Sequence, residues 1–205
     1  MVRLVLGVVL GFLLAVLLNG CASAPTATFA PTETILTRTE STRPAWITTT
    51  HSQANGVLSF SGGVERSADY SLAVRSAKAE ALKNLSEAIH LRLESEFTKA
   101  LEGDDTDSRD LGRFVADAVA FASSAILQGV RQEKVYVEKA VLTVHPEPYY
   151  NTFVLLTLTE ADYYRNRTLS LEHLVTRYKR ERNEAAKKRA ESLLDKLRKN
   201  ATPDP

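Results

Sequence analysis

Apolar and polar positions along this chain change spacing several times, and each change predicts a different element. Leu4 to Leu18 is almost wholly apolar, about 15 residues and short of the roughly 20 a bilayer-spanning helix needs. Residues 22–43 are rich in Thr, Ser, Ala and Pro; such a stretch buries too little surface to fold and predicts a flexible tether. Gly56 to Glu65 reads as a strand, with Val57, Phe60 and Val64 as its apolar members. Gly62-Gly63 within it marks a bulge or a close backbone approach. Ser67-Ala68-Asp69 then supplies helix-capping residues. Beyond them Val74, Ala77, Ala81, Leu85, Ile89, Leu93, Phe97 and Leu101 recur three or four apart, which predicts a helix from about Ser71 to Leu101.

The stretch from Gly103 to Ser108 breaks that helix and starts a second over 108–128, with Leu111, Phe114, Val115, Ala118, Ala122, Ala125 and Ile126 on one face and Gly129 placed to end it. Partial alternation returns from Arg131 to Val144, with Val135, Val137 and Val141 opposite Tyr136, Ala140, Leu142 and Val144. A loop containing His145-Pro146-Glu147-Pro148 leads to a strand over Thr152–Thr159, where Val154, Leu156 and Leu158 oppose Phe153 and Leu155. A last helix runs from about Ser170 to Lys199, its stripe interrupted at Arg182.

These elements predict an α+β fold: a small antiparallel sheet of about three strands, in β-α-α-β-β order, packed on a long helix with an extra C-terminal helix. Pro44-Ala45-Trp46-Ile47 opens the domain, with the only tryptophan as a core anchor. The late strands are apolar on both faces. Either helices cover both, or a neighbouring subunit covers one.

The chain's start is the build of a secretory signal peptide: Arg3 supplies a charge, the short apolar run follows, and Leu18-Asn19-Gly20-Cys21 closes it. That closing run resembles the lipobox of bacterial lipoproteins, although Asn19 is bulkier than the small residue usual there. The resemblance implies that the signal is cut before Cys21, and that this one cysteine is acylated on its sulfur and new amine. It is then a lipid attachment point and forms no disulfide. Several acyl chains make such an anchor effectively stable. Ala22 in the next position implies export to the outer membrane. The expected organisation is a signal over 1–20, a lipidated tether over 21–43, the α+β domain over 44–165, a basic helix over 166–199 and a disordered tail over 200–205.

Charge adds little globally and something locally. The formal net charge is +1, and losing Arg3 brings the mature chain to about zero, so nothing points to nucleic acid. Between Arg165 and Pro205 there are 12 Lys or Arg against 6 Asp or Glu. A solvated helix face with i,i+4 pairs such as Glu184–Lys188 accounts for the charge; the apolar stripe of the same helix is expected to dock on a partner.

Pro44-x-Trp46, Gly62-Gly63 in the first strand, the alanine-rich run Leu72 to Leu82 and Leu155-Leu156-Thr157-Leu158 together resemble the LPP20-like lipoproteins over about residues 44–163. That resemblance implies a dodecin-like β-α-β-β core, an outer-membrane location and no enzyme activity; some relatives assemble rings around flagella.

No catalytic constellation emerges. His51, His90, His145 and His173 stand singly, without the spacing that puts two on one helical face for a metal. Asp104, Asp105, Asp107 and Asp110 crowd one link, yet the glycine and glutamate of a calcium loop are missing. No GxSxG surrounds a serine, and Gly62-Gly63 belongs to no GxGxxG. The expectation is a non-enzyme with no cofactor and no metal: a periplasm-facing structural or assembly lipoprotein, self-associating or held by an envelope partner. A flagellar role is the narrower version. The alternatives are a module that binds peptidoglycan or a cell-wall enzyme through Lys187, Lys188 and Arg189, or a carrier of a small apolar ligand.

Overall fold

A computed structural model describes residues 32–103 and 108–201. Its folded unit begins at Glu33. In chain order the elements are β1 (Glu33–Arg38), a 3-10 turn (Ala45–Thr48), β2 (His51–Ala54), β3 (Val57–Ser67), α1 (Tyr70–Leu101), α2 (Ser108–Leu127), β4 (Arg131–Leu142), β5 (His145–Thr159), α3 (Glu160–Arg180) and α4 (Glu184–Ala201). The class is α+β, as expected, but the antiparallel sheet has five strands, in the order β1-β4-β5-β3-β2.

The two additional strands are the edges. Glu33–Arg38, read from composition as tether, pairs with β4 through a register shift between Ile35 and Thr37. β2 forms a hairpin with β3 around Asn55-Gly56, both at positive φ (51° and 71°). That dipeptide is the signature of a two-residue hairpin turn.

β4 and β5 also meet through a tight turn, Thr143-Val144, because Leu142 pairs with His145. His145 to Pro148 is therefore strand. The prolines are tolerated because pairing of β5 with β3 stops at Tyr150, leaving that end of β5 an edge on one side.

One face of the sheet carries Leu58, Phe60, Gly62, Val154, Leu156 and Leu158, and α1 lies on it. Gly62 permits the approach: a Cβ there would sit 2.7 Å from Ala77 O and from Ala81 Cα, and nearer still to Ala81 N. Asp69 caps α1 by accepting from Leu72 N at 2.6 Å. The buried side chains of α1 recur every four residues, from Ala73 to Leu101, with Ala73 rather than Val74 innermost at the start. Four residues turn through about 400°, so this stripe drifts by about 40° per step around the helix. Its alanine start serves the sheet; Leu93, Phe97 and Leu101 serve the other helices.

The final helix is two helices. Thr159 caps α3 by accepting from Asp162 N at 3.0 Å, so helix follows β5 without a loop. The break falls at 181–183, where Arg182 takes φ 55°. α4 then folds back, and Ala186, Ala190, Leu193, Leu194 and Leu197 join the same core as Leu171, Leu174 and Tyr178. The stripe expected to dock on a partner docks on its own domain. The C-terminal half of α1, α2, α3 and α4 form a helical bundle continuous with the sheet core.

Candidate functional site

Cys21 and the residues before it lie outside the described residues, as do Asp104, Asp105 and Asp107. What is settled is the spacing: 11 residues separate Cys21 from Glu33, a maximum reach of roughly 40 Å at about 3.3–3.6 Å each. That is about half the reach expected of a tether ending at residue 43.

The second sheet face carries Tyr136, Glu138, Ala140, Tyr149, Asn151, Phe153 and Leu155, all buried. Within the chain, no helix among the described residues covers it. β1 and β2 are consecutive in the chain but lie at opposite sheet edges, so residues 39–50 cross this face as a strap. Thr39 binds Val137 of β4 through N (3.0 Å) and Oγ1. At the far side Ser61 of β3 donates Oγ to Thr49 O (2.9 Å) and N to Thr50 O (3.0 Å). Trp46, expected as a core anchor, is half-buried in this strap, its Nε1 without a hydrogen-bond partner.

Mid-strap, Arg43 grips Glu138 with two guanidinium nitrogens and lies 5.5 Å over the Phe153 ring. Tyr136 Oη also donates to Glu138 Oε1 at 2.8 Å. Burial pushes the Glu138 carboxyl up, but Arg43, Tyr136 and Asn151 outweigh it and hold the pKa below the ordinary carboxylate value. Beside it Glu33 of β1 accepts from Tyr149 Oη (2.9 Å) and Asn151 Nδ2 (3.0 Å). These contacts tie the N-terminal strand β1 onto its own sheet. Both Glu138 oxygens are engaged, and Glu33 Oε1 accepts twice, so the arrangement reads as a lock.

A second polar cluster joins α1 to α3. Glu96 accepts from Arg92 (3.0 Å) and from the buried Arg167 (2.6 Å). Arg92 also stacks 4.2 Å over the buried Tyr163 ring. Burial and the Glu96 charge raise the Tyr163 hydroxyl pKa.

Among the described residues, grooves open on the bundle, including one of about 300 Å³ between α2 and α3. One of about 660 Å³ lies between α1 and α2, lined by Leu101, Leu111, Val115 and Val119, with His90, Glu94 and Lys99 around it. Another, about 600 Å³, lies between α2 and the α3–α4 turn. Where α1 packs on the sheet, Gly62 lies directly against the backbone of Ala77 and Ala81, which leaves no space there for an apolar ligand. The four histidines are all exposed, and among the described residues no three His, Cys, Asp or Glu side chains come together. Lys187 bonds Glu184 at 3.3 Å; Lys188 and Arg189 extend along the same helix.

The strap and its lock escaped the sequence because their partners lie far apart, Arg43 and Glu138 by 95 positions. Asn55-Gly56, by contrast, was a local signal for the β2–β3 hairpin. No family model, curated protein or solved structure matches this chain.

Proposed function

We propose that this chain is the precursor of an LPP20-like outer-membrane lipoprotein, anchored through Cys21, whose periplasmic domain plays a non-enzymatic structural or assembly role. The observation that carries this reading is the position of Cys21, at the exit of a short apolar run and 12 residues before the folded unit begins. A domain so close to a lipid anchor stays at the membrane surface. No helix among the described residues is long and apolar enough to cross a membrane, so none of them supplies a spanning anchor of that kind.

Both sheet faces and the apolar stripe of α4 are covered within one chain. Association with a second copy or an envelope protein therefore uses the outer surface of the bundle and the sheet edges.

Metabolic labelling with a palmitate analogue, followed by membrane fractionation, tests the anchor. Label in the wild type, and none in Cys21→Ser, supports it. A wild type without label removes the proposal. Light scattering on the detergent-solubilised protein tests self-association, and a strict monomer at high micromolar concentration removes that part.

A further inference from the structure

The α3–α4 turn lies on the helical bundle beside the N-terminal half of α2, away from the sheet edge that β1 forms. Glu33 bonds Tyr149 and Asn151, and the ring of Tyr150 between them meets Tyr70 at the start of α1. From there α1 runs to Arg92 and Glu96, which meet Tyr164 and Arg167, and α3 continues in the same direction to Arg180. At about 1.5 Å per residue, the path along α1 and then α3 from the β1 end to the turn is roughly 60 Å.

Charge concentrates there. Residues 179–189 hold six cations, Lys179, Arg180, Arg182, Lys187, Lys188 and Arg189, against Glu181 and Glu184. Glu184 is taken by Lys187, and Glu181 lies 3.7 Å from Arg177. Lys179, Arg180, Arg182 and Lys188 are exposed. The turn is held in shape: Asn183 N donates to Tyr178 O at 3.0 Å, and Asn183 Oδ1 accepts from Ala186 N at 3.1 Å. Beside the cations the groove of about 600 Å³ is walled by Arg113 and Arg189 over Phe114 and Tyr178, with Asp110 and Asp117 also lining it; Asp117 lies 3.7 Å from Arg177.

We propose that this tip docks on the carboxylate-bearing peptides of the cell-wall polymer, the groove receiving the chain and the surrounding cations its charges. Each exposed cation contributes little alone, so the patch suits a ligand that repeats its carboxylates and engages several contacts at once. A small anion would instead need an enclosed, buried cation. The choice of the wall over another acidic partner rests on the anchoring reading above. With β1 tied to the membrane, the tip lies away from the tethered edge of the sheet.

The test is co-sedimentation of the full-length lipidated protein, in detergent micelles, with purified sacculi. Binding is expected at low salt and fades as salt is raised. The variant Lys179→Glu, Arg180→Glu, Lys188→Glu should bind about tenfold more weakly with an unchanged circular dichroism spectrum. The control Lys78→Glu, Lys134→Glu, which alters exposed cations outside the tip, should bind as the wild type does. Amidating the carboxylates of the sacculi should abolish binding. Neutralising Asp104, Asp105 and Asp107 to Asn makes the chain more positive, and binding should be no weaker.

The proposal is overturned by a wild type that does not sediment, a tip variant that sediments equally, or retained binding to amidated sacculi. Tighter binding to polyglutamate at equal carboxylate concentration would reassign the tip to an acidic protein and overturn the wall assignment. Because sedimentation does not require lipidation, absent palmitate label with intact, tip-dependent binding would discard the anchor alone.

Discussion

Gly62→Ala probes the closest contact in the fold. The new methyl carbon would sit 2.7 Å from Ala77 O and Ala81 Cα, and nearer still to Ala81 N. All three are backbone atoms of a 32-residue helix, so no side-chain rotation relieves the overlap. Ordinary contact at about 3.5 Å requires α1 and β3 to part by roughly 1 Å, and a gap of that size forfeits a quarter to a half of the dispersion attraction of the atoms it separates. Leu58, Phe60, Leu85 and Ile89 share that core. Adding the strain of overpacking, about 1–3 kcal/mol and at times more, we expect a loss of about 3 kcal/mol. For a domain of this size that lowers Tm by roughly 6–12 °C.

Two other glycines calibrate the measurement. Gly63→Ala meets the Phe153 ring, with Cε1 at 2.6 Å; a side chain can swing aside, so about 1–2 kcal/mol is expected. Gly112→Ala meets nothing within 4 Å inside α2 and should stabilise by about 0.5–1 kcal/mol. Urea unfolding followed by circular dichroism orders the three. The reasoning fails if Gly62→Ala unfolds within about 1 kcal/mol of wild type. It also fails if adding Ala81→Gly restores stability, because the Ala81 methyl is not among the nearest atoms met.

The other predictions concern the polar clusters and the helical turn. Arg43→Ala strands a carboxylate that is 4% exposed, while Arg43 itself is 44% exposed; we expect a loss of about 1–2 kcal/mol, below the 3–5 of a fully buried pair, and a red shift of Trp46 emission as the strap loosens. Because the Glu138 pKa is lowered by folding, the stability it contributes is present above the ordinary carboxylate value and is lost as pH falls through the lower folded value. Melting scans should therefore decline from about pH 4 downward, and Glu138→Gln should flatten part of that decline. Arg182→Gly removes a side chain from a left-handed backbone position (φ 55°) and should raise stability by about 0.5–1 kcal/mol in the same urea assay. Arg167→Ala leaves Glu96 with Arg92 alone beside a new cavity; a loss of about 2–3 kcal/mol is expected, and one below about 0.5 would mean the cluster contributes nothing.

The sequence by itself determined whatever depends on neighbours a few positions away. The α1 stripe and its Asp69 cap, the opposed faces of Val154-Leu156 and Phe153-Leu155, the close approach at Gly62-Gly63 and the interruption at Arg182 all follow from local periodicity and backbone sterics. Only the tertiary structure decided the rest. Glu33–Arg38 has no apolar alternation and is almost wholly exposed; it is a strand because β4 offers it hydrogen bonds, not because its side chains require one. Pro146 and Pro148 read as loop until β3 is seen to stop short of them. The second sheet face and the α4 stripe were legible as surfaces needing cover, but an apolar face is satisfied by any complementary surface. Whether strap, helix or partner supplies the cover is set by where the chain returns in space, which burial strength and spacing along one segment do not encode.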